Sequence, residues 1–305
     1  MPAALALAFP GQGSLTPGAG LPWVGHDAFV AVRDVADAAG VDVEHLVTEA
    51  GEDELVSTEN AQLATFALSL CVLDATGLEP RAAFVLGHSL GEYTALVAAG
   101  MLARTDAARL VAARGAAMRE ASTAAPGGLV ALLGGSVDDA EAACKAIDGL
   151  FLANLNGPGQ IVVGGGVEAL ASLEARVKEL GFRRAIPLRV GGAFHTPLMA
   201  PAAAVLGPAL DAAGFARGHA AVVANVDGRV HDDPDDWASL LLRQLTEPVR
   251  FDACVAALPA GSVVVECGPG AVLQGLIKRI RTDLDQHSVG SPDDLMALDA
   301  LDELA

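Results

Sequence analysis

The sequence predicts an α/β protein, with a mostly parallel sheet flanked by helices and a smaller β-α-β-β-α-β unit set into it. Three observations carry this expectation. Short apolar runs alternate with helical stretches along most of the chain, the pattern of strands joined by helical crossovers. Between Pro126 and Leu188 the order changes to strand, helix, strand, strand, helix, strand, which is the ferredoxin-like arrangement. Finally, Gly87-His88-Ser89-Leu90-Gly91 stands between the apolar residues 82–86 and a helical run at 94–99, a strand–turn–helix elbow.

Taken in order, residues 5–9 read as a first buried strand, broken by Pro10-Gly11-Gln12-Gly13-Ser14. Two glycines around a glutamine suit a loop whose backbone approaches another site closely. Residues 34–49 are expected to be one helix, and 59–74 another, buried one, with Leu63, Phe66, Leu70 and Leu73 at helical spacing and Gln62 near its start. A further helix is expected at 106–121, capped by Thr105, with Arg114 among small residues at its middle. In the inserted unit the expected strands are 129–133, 150–154, 160–163 and 183–188, with helices at 138–147 and 168–180. Beyond it come a loop carrying His195 between glycines and Pro197, a helix at 201–213, a strand at 221–226 and a helix at 238–245. A strand at 262–266, a helix at 271–280 and a short acidic helix in the tail complete the chain. The large domain therefore covers 1–124 and 191–305, and the small ferredoxin-like domain 125–190.

Composition excludes several classes. A net charge of −19 would repel a nucleic-acid backbone. No apolar run reaches the roughly 18–20 residues of a membrane span, and the N-terminus lacks the basic region of a signal peptide. Cys71, Cys144, Cys254 and Cys267 form no C-x-x-C pair, and the histidines show no ligand spacing. The expectation is a cytoplasmic protein with reduced thiols and no metal. The basic residues cluster more than the acids do, with Lys178, Arg183, Arg184 and Arg189 in one stretch and Lys278, Arg279 and Arg281 in another. They read either as scattered surface charge or as a rim that receives an anionic partner.

The elbow carries the chemistry. Its turn lifts the Ser89 hydroxyl out of the sheet and points the first amides of the next helix at whatever that oxygen attacks. A bare G-x-S-x-G also arises by chance in a chain with 34 glycines, so a base and an anchor are needed to support it. His195, taken alone, is an ordinary loop histidine. Arg114 is either a solvated helix face or a charge admitted to a tight place.

Six stretches, in this order, resemble one family: Phe9-Pro10-Gly11-Gln12-Gly13-Ser14, Gly87 to Tyr93, Asn154 to Gln160, Ala193-Phe194-His195-Thr196-Pro197-Leu198-Met199, Gln244 to Arg250, and Glu266-Cys267-Gly268-Pro269-Gly270. They look like malonyl-CoA:acyl-carrier-protein transacylases and the acyltransferase domains of polyketide synthases, over about residues 3–281. The resemblance implies an α/β-hydrolase-like large domain and a Ser89–His195 dyad. It implies a backbone carbonyl in the segment of Gln244 to orient the imidazole, and the amides of Gln12 and Leu90 as oxyanion hole. It implies Arg114 as the partner of the malonyl carboxylate. Gln62 supports that pocket or is simply a polar residue near a helix start, and Gln244 joins the substrate-binding set. Phe194 fills the space an α-methyl would need, favouring malonyl over methylmalonyl. Leu15 and the approach Arg189-Val190-Gly191-Gly192-Ala193 depart from the commonest pattern and bear on acceptor preference and pocket detail.

The implied partners are malonyl-CoA, as a thioester substrate with no further cofactor, and an acyl carrier protein; a monomer is expected. Three other readings compete: a free-standing polyketide acyltransferase with a different acyl group, a serine esterase or thioesterase, and a non-catalytic module that binds carrier protein.

Overall fold

The structure, a computed structural model, describes residues 3–304. Strand β1 (Leu5–Phe9) leads into the glycine loop, whose Gln12–Ser14 form a 3₁₀ turn. Helices α1 (Val30–Ala39), α2 (Val43–Thr48) and α3 (Glu52–Leu55) follow, then the long α4 (Thr58–Thr76). The single helix expected over 34–49 is thus two helices. Gly40 ends α1 in the left-handed region at φ 68°, and Asp42 caps α2 through the His45 amide. Strand β2 (Phe84–Gly87) enters the elbow and α5 (Gly91–Ala98) leaves it. Helix α6 (Arg104–Ala124) begins earlier than expected, and Thr105 lies inside it. Its first turn is anchored by a bidentate ion pair from Arg104 to Asp74 of α4, not by a side-chain cap.

The inserted unit comprises β3 (Gly127–Leu133), α7 (Val137–Ala146), β4 (Leu150–Leu155), β5 (Gln160–Gly166), α8 (Val167–Arg176) and β6 (Arg184–Pro187). Ser136 and Asp139 form a reciprocal capping box on α7. The strands make an antiparallel sheet of order β4-β5-β3-β6. Val130, Leu132, Ile161 and Val163 pack against α7 and α8, whereas Leu129, Ala131 and Val162 join the core of the main sheet. Alternation along each strand thus builds two interfaces from one sheet.

After the insertion come α9 (Ala200–Asp211), β7 (Ala221–Val223), β8 (Val230–His231), α10 (Trp237–Gln244), α11 (Phe251–Ala256), β9 (Val263–Cys267), α12 (Val272–Ile280) and β10 (Asp285–Val289). A 3₁₀ segment, Pro292–Leu304, stands where a short acidic helix is expected. The strand expected over 221–226 stops at Val223, because the chain turns at Gly228 (φ 67°) into β8, which pairs antiparallel with β7. The main sheet has the order β10-β9-β1-β2-β7-β8, and its other pairings are parallel. Strand β10, polar at Asp285, Gln286, His287 and Ser288, sits at the sheet edge, where one strand side has no ladder partner and alternation weakens. Leu7 and Phe9 of β1 face one core while Ala6 and Ala8 face the other. No helix among the described residues is long and apolar enough to cross a membrane.

Candidate active site

The carboxyl ends of β1, β2 and β7 lie side by side, which is where open parallel sheets place their ligand crevice. The elbow forms here through close approach. A Cβ on Gly87 would fall 2.0 Å from the Gly91 carbonyl carbon, and one on Gly91 would fall 2.0 Å from the Phe9 carbonyl oxygen. Any side chain at either position would push α5 off the sheet. Ser89, at φ 53°, and His195, at φ 60°, are the only non-glycine residues with positive φ among the described residues. Such a conformation costs about 1–3 kcal/mol and persists only where the surroundings enforce it.

His195 arrives from the loop that leaves the inserted unit. Thr196 secures that loop, donating to the Ala193 carbonyl at 2.6 Å and accepting from the Leu198 amide, while Pro197 opens the next 3₁₀ turn. Across 106 residues of chain, His195 Nε2 meets Ser89 Oγ at 2.7 Å. Its Nδ1 meets the carbonyl of Gln244 at 2.6 Å. That carbonyl belongs to the last turn of α10, where carbonyls lack intrahelical partners. The residue four further on is Pro248, which has no N–H to compete for it. With a carbonyl fixing the proton on Nδ1, Nε2 is left as the acceptor facing the serine. Burial, with the Arg114 charge adding to it, pushes the His195 pKa down to about 3, so the ring is a neutral base at ordinary pH.

Arg114 comes from α6. Gly115 beside it lets α6 approach α4 so closely that a Cβ there would lie 2.7 Å from the Glu59 Cα. The approach delivers a guanidinium only 1% exposed. Its Nη1 donates to Gln62 Oε1 at 2.5 Å, and its Nη2 donates to Gln244 Oε1 at 2.9 Å and to Ser89 Oγ at 3.1 Å. The face of the Tyr93 ring lies 5.6 Å away. Burial lowers the pKa of Arg114, the nearby Tyr93 and Glu92 oppose that shift, and no carboxylate lies within ion-pair distance of the guanidinium among the described residues. Gln62 is in turn held by Thr58, whose hydroxyl donates to Gln12 Oε1 at 2.8 Å.

A cleft opens over this cluster. Gln12, Ser89, Met118, Asn156, Phe194 and His195 are among its lining residues, with Val272, Leu273 and Leu276 of α12 opposite. Phe194 is buried, its ring held near Gly192, whose missing side chain makes room for the ring and for the Ser122 hydroxyl. The amides of Gln12 and Leu90 open a 3₁₀ turn and α5, respectively, and neither has a hydrogen-bond partner among the described residues. Gln244 differs from the expectation. It is fully buried behind the cleft and bonded to Arg114, Glu92 and the Ser89 carbonyl, so it holds other residues and does not line the site. Gln62, fully buried, likewise reaches the site through Arg114.

Sequence reasoning missed further members. Glu92, 1% exposed, accepts from the Asn225 amide and from Gln244 Nε2, both at 2.6 Å, and burial raises its pKa to about 7. A lone carboxylate in an otherwise apolar helix was the available signal. Asn225, fully buried in the turn that follows β7, accepts from the Ser89 amide and donates to the Gly87 carbonyl. His88 meets Asn156, in the turn between β4 and β5, at 2.8 Å, and burial lowers its pKa. No group of His, Cys, Asp and Glu side chains among the described residues could hold a metal ion.

This geometry sits in a chain whose residues 7–291 match the acyl transferase domain family. The malonyl CoA-acyl carrier protein transacylase of Bacillus subtilis (strain 168) is 39% identical, over 98% of both chains. That of Escherichia coli (strain K12) is 37% identical, over 96% of this chain and 97% of its own. Among solved structures, the malonyl-CoA:acyl carrier protein transacylase from Xanthomonas oryzae pv. oryzae superposes with a TM-score of 0.90 at 39% identity, covering 98% of each chain. A malonyl-transacylase in complex with its type II polyketide synthase acyl-carrier protein does so with a TM-score of 0.90 at 32% identity, over 97% and 98%. Whole-length likeness in sequence and in backbone agrees, and the chain belongs to the malonyl-CoA:acyl-carrier-protein transacylase family.

Proposed function

We propose that this protein moves a malonyl group from coenzyme A to the phosphopantetheine thiol of an acyl carrier protein through an ester on Ser89. His195 takes the Ser89 proton as the oxygen adds to the thioester carbon. The oxyanion rests on the amides of Gln12 and Leu90, donors with no other hydrogen-bond partner among the described residues. The C–S bond breaks and the coenzyme A sulfur leaves with the proton from His195. The carrier thiol then gives its proton to His195 and attacks the seryl ester, and Ser89 regains its proton as the malonyl thioester departs.

One observation carries the substrate: a buried guanidinium with no carboxylate at ion-pair distance among the described residues stands 3.1 Å from the nucleophilic oxygen. A malonyl group brings the missing anion, and a planar fork binds a carboxylate with two charge-assisted bonds. Arg114 would exchange bonds to Gln62, Gln244 or Ser89 for that carboxylate. Phe194 restricts the room at the α-carbon. In this reading Gln62 and Gln244 belong to the substrate site as supports of Arg114.

The two sheets are taken as the cores of two domains, α/β-hydrolase-like over 1–124 and 191–305 and ferredoxin-like over 125–190. The small sheet's order, β4-β5-β3-β6 with helices on one face, supports the second label. The carrier protein would dock beside the cleft. Arg189 lies between the lining residues Leu188 and Val190, and exposed Lys278 and Arg279 follow Leu276 on α12. A monomer in the cytoplasm is part of this reading, and no helix among the described residues is long and apolar enough to cross a membrane.

Intact-protein mass after mixing with malonyl-CoA tests the reading. The protein should gain one malonyl group, and Ser89→Ala should gain none. A labelled chain that loses the group to water as fast as to holo carrier protein would make it a thioesterase instead.

A further inference from the structure

The strained backbone of Ser89 needs something to hold it, and the helix it opens cannot do so, because the first amides of a helix lack partners. The structure supplies a side chain from the turn that follows β7. Asn225 Oδ1 accepts from the Ser89 amide at 2.8 Å, and Asn225 Nδ2 donates to the Gly87 carbonyl at 2.7 Å. One planar amide thus spans the turn from the residue two before the nucleophile to the nucleophile itself. We infer that Asn225 is a positioning residue that sets the reactive geometry of Ser89 through this pair of hydrogen bonds.

The surroundings make Asn225 a rigid template. It is fully buried. Its own amide donates to Glu92 and its carbonyl accepts from the Arg250 amide at 2.7 Å, so its backbone is held on both sides. Strand β7 pairs parallel with β2 up to Val223 and Leu86, which brings the two chain exits together. Chemistry selects the residue type. An acceptor must face the Ser89 N–H and a donor the Gly87 C=O, and of the side chains this short only asparagine carries both in one plane. An aspartate would keep the first bond and set a second anion beside Glu92, and an alanine would keep neither bond.

This inference rests on Ser89 being the nucleophile, so its test uses two reagents. Parent, Asn225→Ala and Asn225→Asp full-length chains are mixed with malonyl-CoA, and separately with a fluorophosphonate. In the latter the serine oxygen bonds phosphorus, fluoride leaves and His195 takes the proton. Labelling rate constants at saturation are read by quenched mass spectrometry, and folding is checked by melting temperature. Displacing a reacting atom by about 1 Å costs on the order of 100-fold. We expect both variants to lose at least about tenfold in the saturating rate constant with both reagents, and half-saturation by malonyl-CoA to stay within about threefold. A folded variant that loses less than that in rate, or loses only in half-saturation, overturns the inference; Asn225→Asp preserves volume and carries the test should the alanine variant not fold. A parent chain labelled by the fluorophosphonate but not by malonyl-CoA would refute the proposed substrate and leave the role of Asn225 still measurable.

Discussion

Arg114 and Ser89 meet at 3.1 Å, nitrogen to hydroxyl oxygen, and the guanidinium has no carboxylate partner among the described residues. The cation is therefore poised next to the reacting oxygen, awaiting a counter-ion. Removing it should change which acyl group is accepted. Truncating one partner of a buried charge pair typically costs about 2–5 kcal/mol. Arg114→Ala should slow acylation by malonyl-CoA by at least about 30-fold relative to acetyl-CoA. Single-turnover rates with the two thioesters measure the ratio; an unchanged ratio would separate Arg114 from the substrate acid.

The depressed pKa of His195 gives a pH prediction. A histidine at about 3 stays neutral through the mildly acidic range where a free imidazole protonates. The acylation rate constant should therefore show no fall between about pH 7 and pH 5 of the kind an ordinary histidine produces. The linkage has a matching sign. Above about pH 6.5 both folded and unfolded states hold the ring neutral, and below it the unfolded chain binds the proton first, so this group's contribution to stability is lost as pH falls toward 3. Glu92, raised to about 7, works in the opposite sense, and its contribution is lost as pH rises from about 4.5 through 7. Rate constants and denaturant midpoints across that range check both statements.

Gly91→Ala should be among the most damaging small changes in the chain. Its Cβ would lie 2.0 Å from the Phe9 carbonyl oxygen, a rigid backbone atom in a central strand. The expected loss is at least about 2 kcal/mol in unfolding free energy. Gly13→Ala meets nothing within 4 Å and should cost far less, so the pair of denaturation curves isolates the collision from glycine's backbone entropy.

At the cleft, Phe194→Ser opens space at the α-carbon. A methyl in a pocket is worth about 1–3 kcal/mol, so the ratio of methylmalonyl-CoA to malonyl-CoA acylation should rise by about tenfold or more. Competition between the two thioesters for one sample reads it directly.

Charge reversal tests the docking rim. Arg189→Glu and Lys278→Glu should each raise the KM for carrier protein several-fold at low salt, about the effect expected of a rim charge, and leave acylation by malonyl-CoA alone. Arg281 belongs to a different category. It pairs with Asp283 and donates to the carbonyls of Ala256 and Leu258, so Arg281→Glu should lower stability first. Steady-state kinetics beside melting curves separate the two.

Much of this arrangement was legible in the chain itself, for physical reasons. Strands β1 and β2 are buried on both faces and read as unbroken apolar runs, and β9 does so up to Glu266. The elbow glycines were visible because close approach admits few residue types, whereas Arg114 and His195, each open to an ordinary reading on its own, stood out only through the resemblance of their segments to one family. What stayed hidden follows from the same logic. Gly40 splits a helix through one left-handed residue inside a pattern that otherwise continues. Strand β10 is polar because it lies at an edge. Asn225 and Glu92 act across sheet neighbours far apart in sequence, and a single buried amide carries no periodic signal. For Gln244 the resemblance pointed to a carbonyl on the imidazole, which is where it lies, but its side chain turns to Arg114, Glu92 and the Ser89 carbonyl and not into the cleft.

The parallel bridge between Asn154 and Val249 joins the small sheet to the main body. The Val249 amide donates to the Ala153 carbonyl and the Leu155 amide donates back to the Val249 carbonyl. Val249 lies on the same short segment as Gln244 and Pro248, which ends the support of His195. Swinging the small unit outward at this edge would break that pair and tug on the imidazole's anchor. Opening the cleft by that route would cost two backbone hydrogen bonds and disturb the carbonyl that holds the imidazole, so one short segment ties the seating of the small sheet to the alignment of the base.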